Sequence, residues 1–195
     1  MKLIITRYGE TEENIQGIIM GHLPGKLTIN GIEQAKKVAE RLKDENIDII
    51  FSSDLARASD TAKEIAKFHE VPLEFTKDLR EKYLGEWQGK KKKDLGFTSN
   101  TSLVNIVPKD GETSEELFNR ANNFINKIFS EHSDKTILFV AHNGIIKALM
   151  TALNKKSSED IKLIENMGNT SITIFETDEE RKLYLKVFNC IKHLE

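Results

Sequence analysis

The sequence predicts an α/β fold, a sheet with helices packed on its faces, and three observations carry that reading. Short β-rich runs alternate with longer stretches of helical periodicity. Leu3-Ile4-Ile5-Thr6 and Thr136-Ile137-Leu138-Phe139-Val140 are apolar without alternation, as strands buried on both faces are. The length, 195 residues, suits one domain, 1–195, with a sizeable core, and no repeat, low-complexity linker or boundary interrupts it.

Taken in order, Leu3 to Thr6 is the first strand and runs straight into a polar loop. Thr28 is the expected N-cap of a helix whose Ile32, Ala35, Ala39 and Leu42 form one apolar stripe. Ile47 to Ser52 reads as a second buried strand. A helix capped near Asp54 follows, with Leu55, Ala58, Ala62 and Ile65 facing inward and Pro72 ending the pattern. Leu79 to Asn105 holds Gly85, Gly89, Gly96 and the run Lys90-Lys91-Lys92-Lys93, and reads as a loop excursion with at most one short helix. Thr113 and Glu116 make a capping box ahead of Leu117, Ala121, Phe124, Ile125 and Ile128. After the Thr136–Val140 strand, Ile145 to Leu153 is nearly all apolar and so a buried helix. Thr170 to Phe175 and Leu183 to Phe188 are expected as paired strands joined by a polar turn, Asp178 to Arg181.

Composition narrows the class. With 38% apolar and 31% charged residues the chain matches soluble globular proteins, and its apolar runs are strand-length, too short to cross a membrane. The stretch from Met1 to Arg7 is too short an apolar run for a secretory signal, so a cytoplasmic location is expected. A net charge of -2 gives no bulk attraction to nucleic acid or anionic lipid. The single cysteine, Cys190, excludes an internal disulfide and a multi-cysteine metal cage.

The chemistry collects where the buried strands end. The first leads into Arg7-Tyr8-Gly9-Glu10-Thr11, the second into Ser52-Ser53-Asp54 and Arg57, the central one into Ala141-His142-Asn143-Gly144. Ligands of open α/β sheets bind beyond the carboxyl ends of the strands. Parallel neighbours would therefore bring two arginines and a histidine to one spot. Two guanidinium forks suit an oxyanion, phosphate above all. Gly144, opening a helix, adds backbone N–H groups and a positive dipole end.

These segments resemble the signatures of the histidine phosphatase superfamily (phosphoglycerate mutase-like, branch 1). Arg7-Tyr8-Gly9-Glu10-Thr11 is similar to that family's Arg-His-Gly-Glu-Thr, with tyrosine in place of the catalytic histidine. Asn14, Leu27-Thr28…Gly31…Gln34-Ala35 and Ser52-Ser53-Asp54-Leu55-Ala56-Arg57-Ala58…Thr61-Ala62 follow in family order. So do Leu79-Arg80-Glu81…Gly85-Glu86-Trp87-Gln88-Gly89, Gly111-Glu112-Thr113, Val140-Ala141-His142-Asn143-Gly144 and Asn169-Thr170-Ser171-Ile172. Ordered matches along nearly the whole chain far outweigh any single motif.

The resemblance implies a three-layer αβα domain around a mostly parallel sheet and hydrolysis of a small phosphomonoester. It implies that Arg7, Arg57 and His142 bind the phosphoryl group, with Asn14 at the rim and Asn143 and Gly144 beside it. Glu81 would protonate the leaving oxygen, and position 8 would carry the nucleophile, a phosphohistidine in the family. No metal or other cofactor is implied. The expected partner is a small phosphorylated metabolite, and monomer and homodimer both stay open. Phosphoglycerate mutase-type phosphoryl transfer is the nearest alternative, but the Lys90–Pro108 segment is short for it. A phospho-ligand-binding protein without turnover is the rival outside catalysis.

Tyr8 breaks the family's central requirement. A phenol ionises near pH 10 and is mostly protonated at neutral pH, and its oxygen reaches further than an imidazole nitrogen. Three explanations follow in order of preference: an altered phosphatase with its pocket intact, a natural non-catalytic member, and a tyrosine-dependent enzyme. Other candidates have plainer readings beside the functional one. Arg57 alone would be a surface ion pair, His142 a helix cap, and Glu81 a partner of Arg80 or Lys82. Glu10 would brace its loop. His22 divides evenly between substrate contact and a solvated loop histidine, and Trp87 reads as packing. The four lysines read first as a solvated face and second as a steering patch. Substrate choice is expected in the loops His22–Lys26 and Leu95–Lys109.

Overall fold

A computed structural model describes every residue except Ser99, Asn100 and Arg181. Six strands form one sheet: β1 (Lys2–Arg7), β2 (Ile49–Ser53), β3 (Leu73–Thr76), β4 (Thr136–Ala141), β5 (Ile172–Thr177) and β6 (Leu183–Cys190). Their order is β3-β2-β4-β1-β5-β6. The first four run parallel, while β5 and β6 are antiparallel to their neighbours. Helices α1 (Glu12–Gln16), α2 (Ile29–Leu42), α3 (Ala56–Ala66), α4 (Ser114–Glu131) and α5 (Asn143–Leu153) complete the frame.

The sheet divides the core in two. Leu3, Ile5, Phe51, Ile137 and Phe139 point to one face and pack against Leu117, Phe124 and Ile125 of α4 and Ile145 and Leu149 of α5. Ile4, Ile50, Leu138 and Val140 point to the other and pack against Val38 and Leu42 of α2 and Ala58 and Ile65 of α3. Successive strand residues face opposite sides, so a strand covered on both reads as continuously apolar. This is the expected three-layer αβα arrangement.

The helix ends follow local chemistry. Thr28 Oγ1 accepts from Gly31 N–H at 2.8 Å, and Thr113 with Glu116 forms the reciprocal capping box ahead of α4. Several expectations need correction. Ile32 is 40% exposed, and Val38 takes its place on the buried stripe of α2. The cap of α3 is Leu55, without a side-chain bond; Asp54 instead forms a two-pronged pair with Arg80 at 2.6 Å. That helix ends at Ala66, and the Pro72 segment enters a strand, β3, absent from the sequence reading. The second strand begins at Ile49 and the fifth at Ile172. The 79–105 excursion contains short 3₁₀ turns at Gly85–Trp87 and Lys92–Leu95. The turn residue Arg181 lies outside the described residues, as do Ser99 and Asn100 of the 95–109 loop.

Candidate active site

The strand order explains the convergence. β1, β4 and β2 are parallel neighbours, so their carboxyl ends lie side by side. Arg7 closes β1 with Tyr8 next to it, Ser53 closes β2, and His142 follows β4 as the first residue outside α5. Arg57 sits in the first turn of α3.

These side chains meet around the Tyr8 ring. The guanidinium carbons of Arg7 and Arg57 lie 5.0 and 4.9 Å from its centroid, and the His142 ring lies at 5.2 Å. The phenol oxygen accepts from Arg7 Nη2 at 3.3 Å and from Asn14 Nδ2 at 3.4 Å. Tyr8, Arg57 and His142 are buried. Burial pushes the Tyr8 phenol up, but the charges of Arg7 and Arg57 and the bonds from Arg7 and Asn14 outweigh it. The phenol lies below its ordinary value of 10.0.

Each cation is braced from behind. Arg7 Nη1 donates to Met167 O at 2.6 Å. Arg57 donates to Gly21 O at 2.9 Å, to Pro24 O at 3.1 Å and to Leu23 O, and so fastens the loop before α2. His142 Nε2 lies 2.8 Å from Ser53 Oγ. That hydroxyl also accepts from Leu55 N–H. Burial, then the charges of Arg57 and Arg7, hold the imidazole well below its ordinary range, so it is neutral at pH 7. Among the described residues, four buried side-chain polar atoms lack a partner. Three of them, Arg7 Nε, Arg57 Nε and His142 Nδ1, belong to the side chains flanking Tyr8.

Glu81 stands on the same cavity, a space of about 320 Å³ that Arg7, Tyr8, Asn14 and Arg57 also line. Its Oε2 accepts from Gly144 N–H at 3.1 Å and its Oε1 from Lys82 N–H at 2.8 Å. A β-carbon on Gly144 would lie 2.3 Å from Glu81 Oε1, so the helix start and the carboxylate fit only around a glycine. Asn143 bonds Asn166 Oδ1 and Met167 N–H, ordering the segment that holds Arg7.

His22 occupies a different place: its Nε2 lies 2.8 Å from Glu81 O and its ring packs against Tyr83. In this structure it braces the Glu81 peptide. Glu10 accepts from Thr28 and Asn30 and braces its loop as expected. Trp87 packs against Phe97. The lysine run is split, with Lys90, Lys91 and Lys93 exposed and Lys92 half-buried on the cavity wall.

Ser53 and Asn169 carry no assigned role in the sequence, whereas the wall from Thr101 to Val104 falls within the 95–109 loop where substrate choice is expected. Asn169 Nδ2 bonds Tyr8 O at 3.0 Å and Asn14 Oδ1 at 3.4 Å, within the Asn169-Thr170-Ser171-Ile172 motif. Ser53 sits in a matching motif too, as a small polar residue at a strand end. Among the described residues, no group of His, Cys, Asp and Glu gathers as a metal site. Among the described residues, no helix is long and apolar enough to cross a membrane.

Comparison with known proteins gives the same picture. The chain is 33% identical to phosphoglycerate mutase-like protein 4 of Arabidopsis thaliana, covering 100% of this chain and 87% of that protein. It is 32% identical to the adenosylcobalamin/alpha-ribazole phosphatase of Salmonella typhimurium over 78% of this chain and 79% of that one. Among solved structures, Entamoeba histolytica phosphoserine phosphatase in complex with 3-phosphoglyceric acid superposes with a TM-score of 0.84. That match is at 30% identity and covers 100% of this chain and 99% of the other. The family description for the histidine phosphatase superfamily (branch 1) matches residues 3–190. With its strand-end cations, its ordered motifs and these relatives in agreement, the chain belongs to branch 1 of the histidine phosphatase superfamily.

Proposed function

We propose that this chain is built as a metal-independent phosphatase of small phosphomonoesters, and that tyrosine at position 8 holds its turnover low. One observation carries the reading: the Tyr8 ring sits among Arg7, Arg57 and His142, and each of these three side chains has a buried nitrogen without a partner. A phosphoryl group in that seat would have its equatorial charge neutralised by two guanidinium groups and a neutral imidazole N–H. Glu81, oriented by the Gly144 and Lys82 amides, stands at the wall to protonate the leaving oxygen. A histidine at position 8 would attack phosphorus and carry the phosphoryl group until water releases it. The phenol instead fills the seat and is bonded to two of its donors.

The relatives support a phosphatase, and several are phosphatases by name. A second reading, a phospho-ligand-binding protein without turnover, is favoured by the same buried phenol. Restoring the nucleophile separates the two. Tyr8→His is expected to raise the hydrolysis of 4-nitrophenyl phosphate by at least about 100-fold over the parent, as covalent catalysis does when its nucleophile is present. A correctly folded Tyr8→His protein no faster than the parent would sink the phosphatase reading and leave the binding one. Phosphoglycerate offered to the same protein tests the mutase alternative: free phosphate is expected, and an isomerised ester in its place would favour phosphoryl transfer.

A further inference from the structure

Two lysines outside the phosphate seat, Lys82 and Lys147, are each 2% exposed. A buried ammonium persists where oxygens surround it. Lys82 Nζ donates to the backbone oxygens of Val104 at 2.7 Å, Ile106 at 3.0 Å and Leu103 at 3.4 Å. Lys147 Nζ, on α5, donates to Ser102 Oγ at 3.3 Å. Both therefore bear on one stretch of chain, residues 101–106.

That stretch has neither helix nor strand to satisfy its polar groups. Ile106 N–H closes a turn on Leu103 O, and the remaining bonds come from outside. Ser114 Oγ reaches Val104 O at 2.8 Å, and Lys92 Nζ reaches Thr101 O at 2.9 Å. Side chains thus do for this strap what a ladder does for a strand. The strap is also a wall of the site, because Thr101, Ser102, Leu103 and Val104 line the cavity shared by Arg7, Tyr8 and Glu81. Lys82 ties wall to acid: its backbone N–H holds Glu81 Oε1 while its side chain holds the strap.

We infer that Lys82 and Lys147 are positioning residues, a two-point clamp that fixes the 101–106 strap as the leaving-group wall and so sets which phosphomonoesters fit. The inference rests on the proposed phosphatase reading for the wall's use, though not for its anchoring. Lys82 also lines that cavity, and its ammonium and that of Lys147 bond the strap rather than Arg7, Tyr8, Asn14 or Arg57, so the clamp acts on the ester side of the substrate.

The test uses the full-length chain with Lys82→Met, which keeps the stem and removes the three bonds, and Lys147→Met, which removes one. In the parent background, backbone amides of 101–107 are expected to exchange with deuterium about tenfold faster or more in Lys82→Met, while those of α2 and α3 stay unchanged. In the Tyr8→His background, the ratio of kcat/KM for phosphoserine to that for 4-nitrophenyl phosphate is expected to shift at least about fivefold, and through KM more than kcat. Unchanged protection of the strap, or a uniform loss that preserves the ratio, would overturn the clamp. Should Lys82→Met fail to fold, Lys147→Met gives the same two readouts with smaller shifts. If Tyr8→His hydrolyses neither ester, the phosphatase reading and the leaving-group role fall together. Exchange alone then decides whether the lysines hold the strap.

Discussion

At position 8 two opposing effects act on one phenol. Burial disfavours the phenolate, whereas two guanidinium groups and two hydrogen bonds favour it, and the balance lies on the side of the anion. The sign for stability follows. An acid whose folded pKa lies below its unfolded value stabilises the fold fully above about pH 10, the unfolded phenol value, and loses that contribution as pH falls through the folded value. The tyrosinate absorbance of the parent should therefore show a step below pH 10 that is missing in Tyr8→Phe. The parent should also gain stability relative to Tyr8→Phe as pH rises towards 10. Tyr184 does not confuse the result, since a bond to Asp178 holds it above its ordinary value. A parent titration superimposable on that of Tyr8→Phe below pH 10 would show that the arginines do not act on the phenol as the geometry implies. The convergence on Tyr8 was legible in sequence because Arg7, Arg57 and His142 each stand at or just beyond the carboxyl end of a buried strand, within its own motif. Ser53, which bonds the His142 ring, was not, since a serine at a strand end carries no distinctive signal.

Among the elements, legibility followed burial. β1 and β4 are covered on both faces and read as unbroken apolar runs, and α4 announced itself by Thr113 and Glu116. β3 escaped because it is a four-residue edge strand, Leu-Glu-Phe-Thr, whose Glu74 and Phe75 are exposed. The anchoring of the 101–106 strap was hidden for another reason: Lys82 reaches its carbonyls from 21 or more residues away and Lys92 and Ser114 from 9 and 10, and no local pattern encodes that. The start of α5 couples element to chemistry. Alanine is a better helix residue than glycine by roughly 0.5–1 kcal/mol, so Gly144→Ala should leave thermal stability unchanged or slightly raised. Its β-carbon would nevertheless displace Glu81. In the Tyr8→His background kcat is then expected to fall about 10- to 100-fold, the usual effect of a misplaced catalytic group. A Gly144→Ala protein with undiminished kcat would remove Glu81, as held here, from the proton-donor role.

Across the whole molecule, one sheet separates two cores, and the site lies at the strand ends where both meet. The helices α3 and α4 never share a cluster: Ile65 packs with Ile4, Ile50 and Leu138, whereas Ile125 packs with Phe139 and the α5 residues on the far face. Truncating either to alanine should cost about 2–5 kcal/mol, by lost transfer energy and a residual cavity. Substitutions without common partners add to within about 0.5 kcal/mol, so the Ile65→Ala/Ile125→Ala double variant should lose the sum of the two single losses. Urea unfolding of the four proteins makes the measurement, provided the slope stays constant across the set. A coupling well above that limit would mean the sheet passes strain from one face to the other. The side chains at its carboxyl ends would then feel repacking on both sides, and Arg7 and His142, fixed to β1 and β4, would shift first. Additivity would instead make the sheet a rigid partition, so that core changes on either face leave the geometry around Tyr8 intact.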